Sequence, residues 1–274
     1  MTASDPARLE EVRLSPEPVS LNAASRLLPG GVYTTFRTFD GHKMLPLEDH
    51  IHRLEESAAL VNATLRLDIR QIRRALHQAV SAFPQGEKRV RLTLDLEKVH
   101  GDLYITLEPL QVPSAQDYEQ GVRAITCASH RDNPKAKQTS FISIAEELRR
   151  ILPPDVNEGL LVDANGRILE GLSSNFFAIQ DGVIWTAEEG VLAGITRATL
   201  LKIAGRLGLP VRPEGLPHAA LANLQEALIT SASRLVLPVT RVDATVIGSG
   251  APGPLTLLLM QAFAEEIQAD LVEI

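Results

Sequence analysis

In KRVRLTLD, Arg89, Arg91 and Thr93 alternate with Val90, Leu92 and Leu94, the period-two pattern of a strand with one polar and one apolar face. Strands are predicted over 89–97 and 101–110, and GGVYTTFRTFDGHKMLPL reads as a β-hairpin turning at Asp40-Gly41. Helices are expected in LEDHIHRLEESAALVNA and IRQIRRALHQAVSAF. After Leu110, QVPSAQDYEQ has a proline, a polar bias and no periodicity, which marks a linker near Val112 to Glu119. Beyond it the pattern predicts a strand over 122–129, a helix over 141–151 and a hairpin over 158–171 turning at Asn165-Gly166. Strands over 175–179 and 183–187 follow, then a helix in GITRATLLKIAGRLG with Thr196 as N-cap and Gly208 just past its end. Strands over 226–233 and 235–243 and a helix over 254–267 complete the pattern. The fold class is α+β: a loose leader over 1–20, an N-terminal α/β domain over 21–112, a linker over 113–120 and a C-terminal domain over 121–274.

Composition narrows the function classes. With 274 residues, 45% of them hydrophobic, the chain is long enough to bury a core in each of two domains. A net charge of −7 without any Lys/Arg-rich run argues against a nucleic-acid partner. No apolar run approaches the roughly 20 residues of a membrane span, and MTASDPARLEEVRLSPEPVS lacks the apolar segment of a signal peptide. A cytoplasmic protein acting on a small molecule is expected. The one cysteine, Cys127, excludes an internal disulfide and reads as a buried thiol in a strand.

Several short motifs carry candidate chemistry, each with a plainer alternative. GSGAPG, residues 248–253, is a literal G-x-G-x-x-G, yet only 21 residues follow it, too few for a βαβ unit. A tight turn with Pro254 opening a helix accounts for it better. His50 and His52 stand two apart on a helix and do not face each other, and no metal-ligand spacing occurs elsewhere. Glu170 shares a strand face with Ile168, so its carboxylate has to be paired, protonated or exposed at the strand end. LAGITRATL opens a helix whose free N–H groups suit a phosphate or simple capping. Arg53 stands four residues after Asp49 and three before Glu56, an ordinary surface arrangement. Arg89 and Arg91 could clamp a carboxylate or form the wet side of a sheet. Lys135 and Lys137, two residues apart ahead of a helix, are indistinguishable on local grounds.

Taken in chain order, the HIHRL helix, a lysine before a helix, LVDANGRILEGLSSNFF, VLAGITR, ALITSASRLVLPVTRVD and IGSGAPGPLT resemble the class IV aminotransferases. These are pyridoxal phosphate (PLP) enzymes of fold type IV, including branched-chain and D-amino acid aminotransferases and aminodeoxychorismate lyase. The resemblance spans Gly30 to Ile267 and is most specific in Glu170–Phe177 and LAGITR. It implies a smaller N-terminal α/β domain, a larger C-terminal domain built on a mixed β-barrel with flanking helices, PLP as cofactor, and a homodimer. It also implies roles for residues. Lys137, by its 33-residue offset from Glu170, is the Schiff-base lysine, and Glu170 faces the pyridine nitrogen. Arg53, Ile195 and Thr196 bind the phosphate, with Ser173, Ser174 and Leu192 around the cofactor. Ser231 and Ala232 belong to a second phosphate loop, and Ser233 to the site of the substrate carboxylate. Tyr33, Thr35 and Arg37, with Arg89 and Arg91, line the substrate pocket. The implied activity is ping-pong exchange of an amino group between an amino acid or primary amine and a 2-oxo acid. VYTTFRTFDG is also similar to aminodeoxychorismate lyases, which eliminate pyruvate with the same cofactor; a non-catalytic dimeric scaffold is a third reading. Leu172, Ala232 and Thr34 depart from residues the family usually shows, which leaves the substrate and its handedness open.

Overall fold

The structure, a computed structural model, describes Leu14 and residues 19–84, 86–129 and 131–274. Apart from Leu14, Val19 and Ser20, the leader expected over 1–20 lies outside the described residues. The chain forms two compact units. Of the described residues, one unit holds those up to Leu110 with 138–140 and 271–274; the other holds those within 111–137 and 141–270.

The first unit begins with α1 (Leu21–Leu27), capped by the Ser20 hydroxyl accepting from Ala23 N–H. The hydrophobic pattern did not reveal this short helix. After it come β1 (Gly31–Arg37), β2 (Lys43–Met44), α2 (Leu47–Ala59), α3 (Ile69–Ala82), β3 (Lys88–Asp95) and β4 (Leu103–Pro109). The strands β1, β3 and β4 form an antiparallel sheet in that order. Val32, Phe36, Val90, Leu92 and Leu94 make its apolar face and pack with Leu47, Ile51, Leu54 and Ala58 of α2 and Ile72 and Leu76 of α3. Both helices repeat their apolar residues every three or four positions, as burial of one stripe requires. His50 is a satisfied core residue, its Nδ1 sharing a 2.8 Å hydrogen bond with Thr34 Oγ1. The expected turn forms, with Asp40 and Gly41 at φ 52° and 77°, but the hairpin does not extend. Only a single bridge, Phe39 to Lys43, closes it. β1 pairs with β3, and β2 pairs with Val272–Glu273.

The second unit starts with α4 (Ala115–Gln120), inside the stretch expected to be a linker. Ser114 and Asp117 form a reciprocal capping box there. Six residues are too few to show a helical period, which is why the sequence pattern read as irregular. Next come β5 (Val122–Cys127), α5 (Ser140–Arg150), β6 (Val156–Val162), β7 (Arg167–Gly171), β8 (Asn175–Gln180), β9 (Val183–Trp185), α6 (Ile195–Arg206), β10 (Val211–Arg212) and β11 (Leu216–Pro217). A 3₁₀ turn (His218–Asn223), β12 (Glu226–Ser231), β13 (Leu235–Val242), β14 (Thr245–Val246) and α7 (Pro254–Asp270) follow, and β15 (Val272–Glu273) belongs to the first unit. β7 pairs with β6 and, through Glu170 and Asn175, with β8. The order β8-β12-β13-β5-β6-β7 thereby closes on itself as a six-stranded barrel. Its core includes Leu160, Ile168, Phe176, Ala178, Ile229, Leu237 and Val239, while α6 and α7 pack together and against β12. Cys127, expected to be buried, is half-buried on β5, and desolvation raises its thiol pKa.

The glycine motif folds as a turn around an acid. Glu226 accepts from the backbone N–H groups of Leu255 (3.2 Å) and Thr256 (2.6 Å), capping α7 with its carboxylate. A Cβ on Gly253 would stand 2.2 Å from Glu226 Cδ. The small residue is required by a carboxylate of the protein itself.

Candidate active site

Glu170 closes β7 and is only 2% exposed. An exposed strand end is therefore overturned: the end of β7 lies in the seam where the barrel closes. Arg131 Nη1 donates to the carboxylate at 3.1 Å, Leu192 N–H at 3.1 Å and Asn175 Nδ2 at 3.3 Å. The Arg131 guanidinium also lies over the Phe141 ring, 4.1 Å from its centroid. Burial pushes the Glu170 carboxyl above its usual pKa; Arg131, the Leu192 amide and Lys137 pull it down without cancelling the rise. The Lys137 charge is thus close enough to enter that balance. Lys135 is exposed and pairs with exposed Glu189 at 3.1 Å. Tertiary placement separates the two lysines.

Asn175 connects this carboxylate to the start of α6. It is the cross-strand partner of Glu170 on one side and of Thr230 on the other, so β7, β8 and the end of β12 fall in one row. Its Nδ2 also donates to the Leu192 carbonyl at 2.8 Å. A Cβ on Gly194 would stand 2.0 Å from Asn175 Oδ1, so Gly194 permits this close approach. Gly194, rather than the expected Thr196, is the N-cap of α6, and no side chain caps it. Ile195 and Thr196 are therefore the first two helical residues, and their N–H groups belong to the set that a helix leaves without intrahelical partners. With the positive end of the helix dipole, they are suited to an anion.

Three expected cofactor contacts are changed by the packing. Ser173 and Ser174 donate their hydroxyl protons to Glu158 at 3.1 and 2.9 Å, because that fully buried carboxylate requires donors. Leu192 spends its amide on Glu170 and its carbonyl on Asn175, leaving only a buried side chain for packing. Ser231, Ala232 and Ser233 lie half-buried at the turn from β12 to β13, one residue after Thr230. The second unit thus gathers Lys137, Glu170, the α6 N-terminus and the end of β12.

In the first unit, Tyr33, Thr35 and Arg37 are the cross-strand partners of Thr93, Arg91 and Arg89, so the five expected substrate residues of this sheet do share one face. Arg89 and Arg91 do not form an open carboxylate clamp. Arg91 is 2% exposed and donates to Leu21 O (3.0 Å), Ser25 Oγ (2.6 Å), Asn22 Oδ1 (2.9 Å) and Thr35 Oγ1 (3.3 Å). It anchors α1, the helix the sequence pattern missed, and its guanidinium lies 4.8 Å from the Tyr33 ring centroid. Arg89 pairs with Glu108 at 2.9 Å. Arg37 lies over Phe39, and Arg53 is half-buried on α2.

Sequence reasoning missed Arg131 and assigned Asn175 no role. Thirty-nine residues separate Arg131 from the carboxylate it pairs with, so no local pattern links them. Asn175 begins the NFF run, where an amide opening an apolar strand was a usable signal. Among the described residues, no group of three or more His, Cys, Asp or Glu is arranged to hold a metal, and no helix is long and apolar enough to cross a membrane.

Comparison with known proteins bears on this arrangement directly. The family described as "Amino-transferase class IV" matches residues 31–242. The chain is 30% identical over 243 residues to a protein of Thermotoga maritima named "Probable branched-chain-amino-acid aminotransferase", covering 86% of each. It is 27% identical to the D-alanine aminotransferase of Bacillus licheniformis, covering 88% of each. The solved structure of the branched-chain amino acid aminotransferase of Escherichia coli superposes with a TM-score of 0.76 at 25% identity, over 87% of this chain and 86% of that one. The match takes in β1 through β13, including Lys137, Glu170 and the α6 N-terminus, and the chain belongs to the class IV aminotransferases.

Proposed function

We propose that the protein transfers an amino group between an amino acid and a 2-oxo acid, with PLP attached at Lys137 and its pyridine nitrogen against Glu170. The observation that carries this reading is the buried Glu170 carboxylate, whose pKa stays raised despite Arg131, Lys137 and an amide. A carboxylate so placed gains from one further cation, which a protonated pyridine nitrogen supplies. The uncapped α6 N-terminus and the Ser231 turn suit the phosphate, so the residues present fit the group. The role of Arg53 as a phosphate ligand rests on the resemblance alone.

Bound PLP supplies an electron sink for the charge left when a proton leaves the substrate Cα. Lys137, once its amine is free, is the base that takes that proton and the acid that returns it. Glu170, kept in place by Asn175 and the Leu192 amide, holds a proton on the ring nitrogen. The N–H groups of Ile195 and Thr196 orient the phosphate without a proton transfer. The substrate is a branched-chain or D-amino acid or a primary amine, and the working form is a cytoplasmic homodimer.

Borohydride reduction of the protein with PLP, followed by peptide mapping, should place the adduct on Lys137. Separate addition of L-amino acids, D-amino acids and (R)-amines should then bleach the cofactor absorbance for one class alone. An adduct elsewhere, or no response to any donor, would refute the assignment. Sedimentation at micromolar concentration tests the dimer, and cell fractionation tests the compartment.

A further inference from the structure

We infer that Arg234 is a positioning residue that sets the polarity of the Ser231 hydroxyl, so that Ser231 presents its proton to an anion. The inference rests on the cofactor reading above, which identifies that anion as the phosphate of PLP.

Ser231 Oγ receives two hydrogen bonds from one residue, from Arg234 N–H at 3.2 Å and from Arg234 Nε at 3.2 Å. A hydroxyl has two lone pairs and one proton. With both lone pairs engaged, donation is the only capacity left, and no acceptor for it occurs among the described residues. Two serines placed around the cofactor differ. Ser173 and Ser174 aim their protons at Glu158.

Arg234 itself is not available to an incoming anion. Its Nη1 donates to Asn157 Oδ1 at 2.9 Å, and its Nη2 to Ser173 Oγ at 3.0 Å and to Glu158 Oε2. Glu158 is fully buried; burial works to raise its pKa, and Arg234 and Arg149 outweigh that and hold it low. The charge of Arg234 is therefore neutralised inside the protein. What it contributes to the turn is direction rather than attraction.

The backbone around Arg234 is equally constrained. Tyr118 of α4 donates its hydroxyl to the Arg234 carbonyl at 2.9 Å. The next residue, Leu235, sits at φ 55°, a conformation that side-chain-bearing residues seldom adopt. Such a residue persists where its neighbours over-determine the chain path. Bonds at the amide, side chain and carbonyl of Arg234 do that here.

The test is a double-mutant cycle of Ser231→Ala and Arg234→Gln, read as the affinity of the apoprotein for PLP and for pyridoxal, which lacks the phosphate. Each single variant should lose about tenfold in PLP affinity, equivalent to about 1.4 kcal/mol, with pyridoxal affinity unchanged. The double variant should be no weaker than Arg234→Gln alone. Fully additive losses, or equal weakening toward PLP and pyridoxal, would overturn the proposal and reduce Arg234 to a structural role. If Arg234→Gln does not fold because buried Glu158 loses the nearer of its two arginines, the Ser231→Ala comparison is made in the Glu158→Gln/Arg234→Gln protein, with the same two outcomes. A wild-type protein that takes up no PLP overturns the cofactor reading as well, before any variant is compared.

Discussion

Replacing Gly194 by alanine tests whether Asn175 holds the candidate site together. Gly194 has φ −63° and ψ 134°, open to any residue, so alanine brings no backbone strain. The new Cβ would stand 2.0 Å from Asn175 Oδ1 and 3.3 Å from Arg197 Cβ, the first well short of the 3.4 Å at which ordinary contact begins. The Asn175 amide must swing away, and its two donor bonds, to Glu170 at 3.3 Å and to the Leu192 carbonyl at 2.8 Å, go with it. A bond to a charged group contributes about 1.5–3 kcal/mol and a neutral one about 1 kcal/mol. Loss of both should lower the stability of the apoprotein by about 2.5–4 kcal/mol, read from urea unfolding at constant slope. Misplacement of Glu170 alone should weaken PLP binding about tenfold to a hundredfold. Asn175→Ala removes the atom that clashes, so Gly194→Ala/Asn175→Ala should be no less stable than Asn175→Ala. A Gly194→Ala protein within about 0.5 kcal/mol of wild type, with unchanged PLP affinity, would refute the argument.

Three further outcomes follow from the same geometry. Lys137→Ala should abolish the borohydride-fixed adduct, whereas Lys135→Ala should leave adduct and stability unchanged, because its partner Glu189 is exposed and such pairs contribute little; the reverse pattern overturns the assignment. Glu170 has a folded-state pKa above its usual 4.5, so its contribution to stability is complete below that pH and fades as pH rises through the folded value. Apoprotein carrying Glu170→Gln, which does not ionise, should therefore gain in urea midpoint relative to wild type from pH 4.5 towards neutrality, and a relative loss would contradict the sign. Arg91→Met should destabilise the protein by about 3 kcal/mol or more, since it removes the charged donor of hydrogen bonds to Leu21 O, Ser25 Oγ and Asn22 Oδ1, each contributing about 1.5–3 kcal/mol. An unchanged unfolding midpoint with a raised KM for the substrate acid would instead restore Arg91 to a substrate role.

Legibility varied with the range over which each feature is determined. The alternation of KRVRLTLD was readable because β3 packs one face against helices and leaves the other to polar side chains. Helices α2 and α3 were readable because one stripe of each is buried. The seven-residue α1 was not, because it is held by an arginine more than sixty residues away rather than by its own apolar period. Thr196 looked like a cap by residue type, yet the helix begins at Ile195 because Gly194 is fitted against Asn175.

The sequence by itself determined the order and kind of most elements, because these depend on residue type and spacing, and the resemblance its motifs carry in chain order pointed to the family and nominated Lys137 and Glu170. Only the tertiary structure decided what surrounds them. Glu170 is buried among an arginine 39 positions before it and an amide 22 positions after it. The serines of one loop donate to a glutamate, while Ser231 accepts from Arg234. The physical reason is that hydrogen-bond direction and desolvation are properties of a packed volume, and barrel closure brings into that volume residues that no local pattern connects.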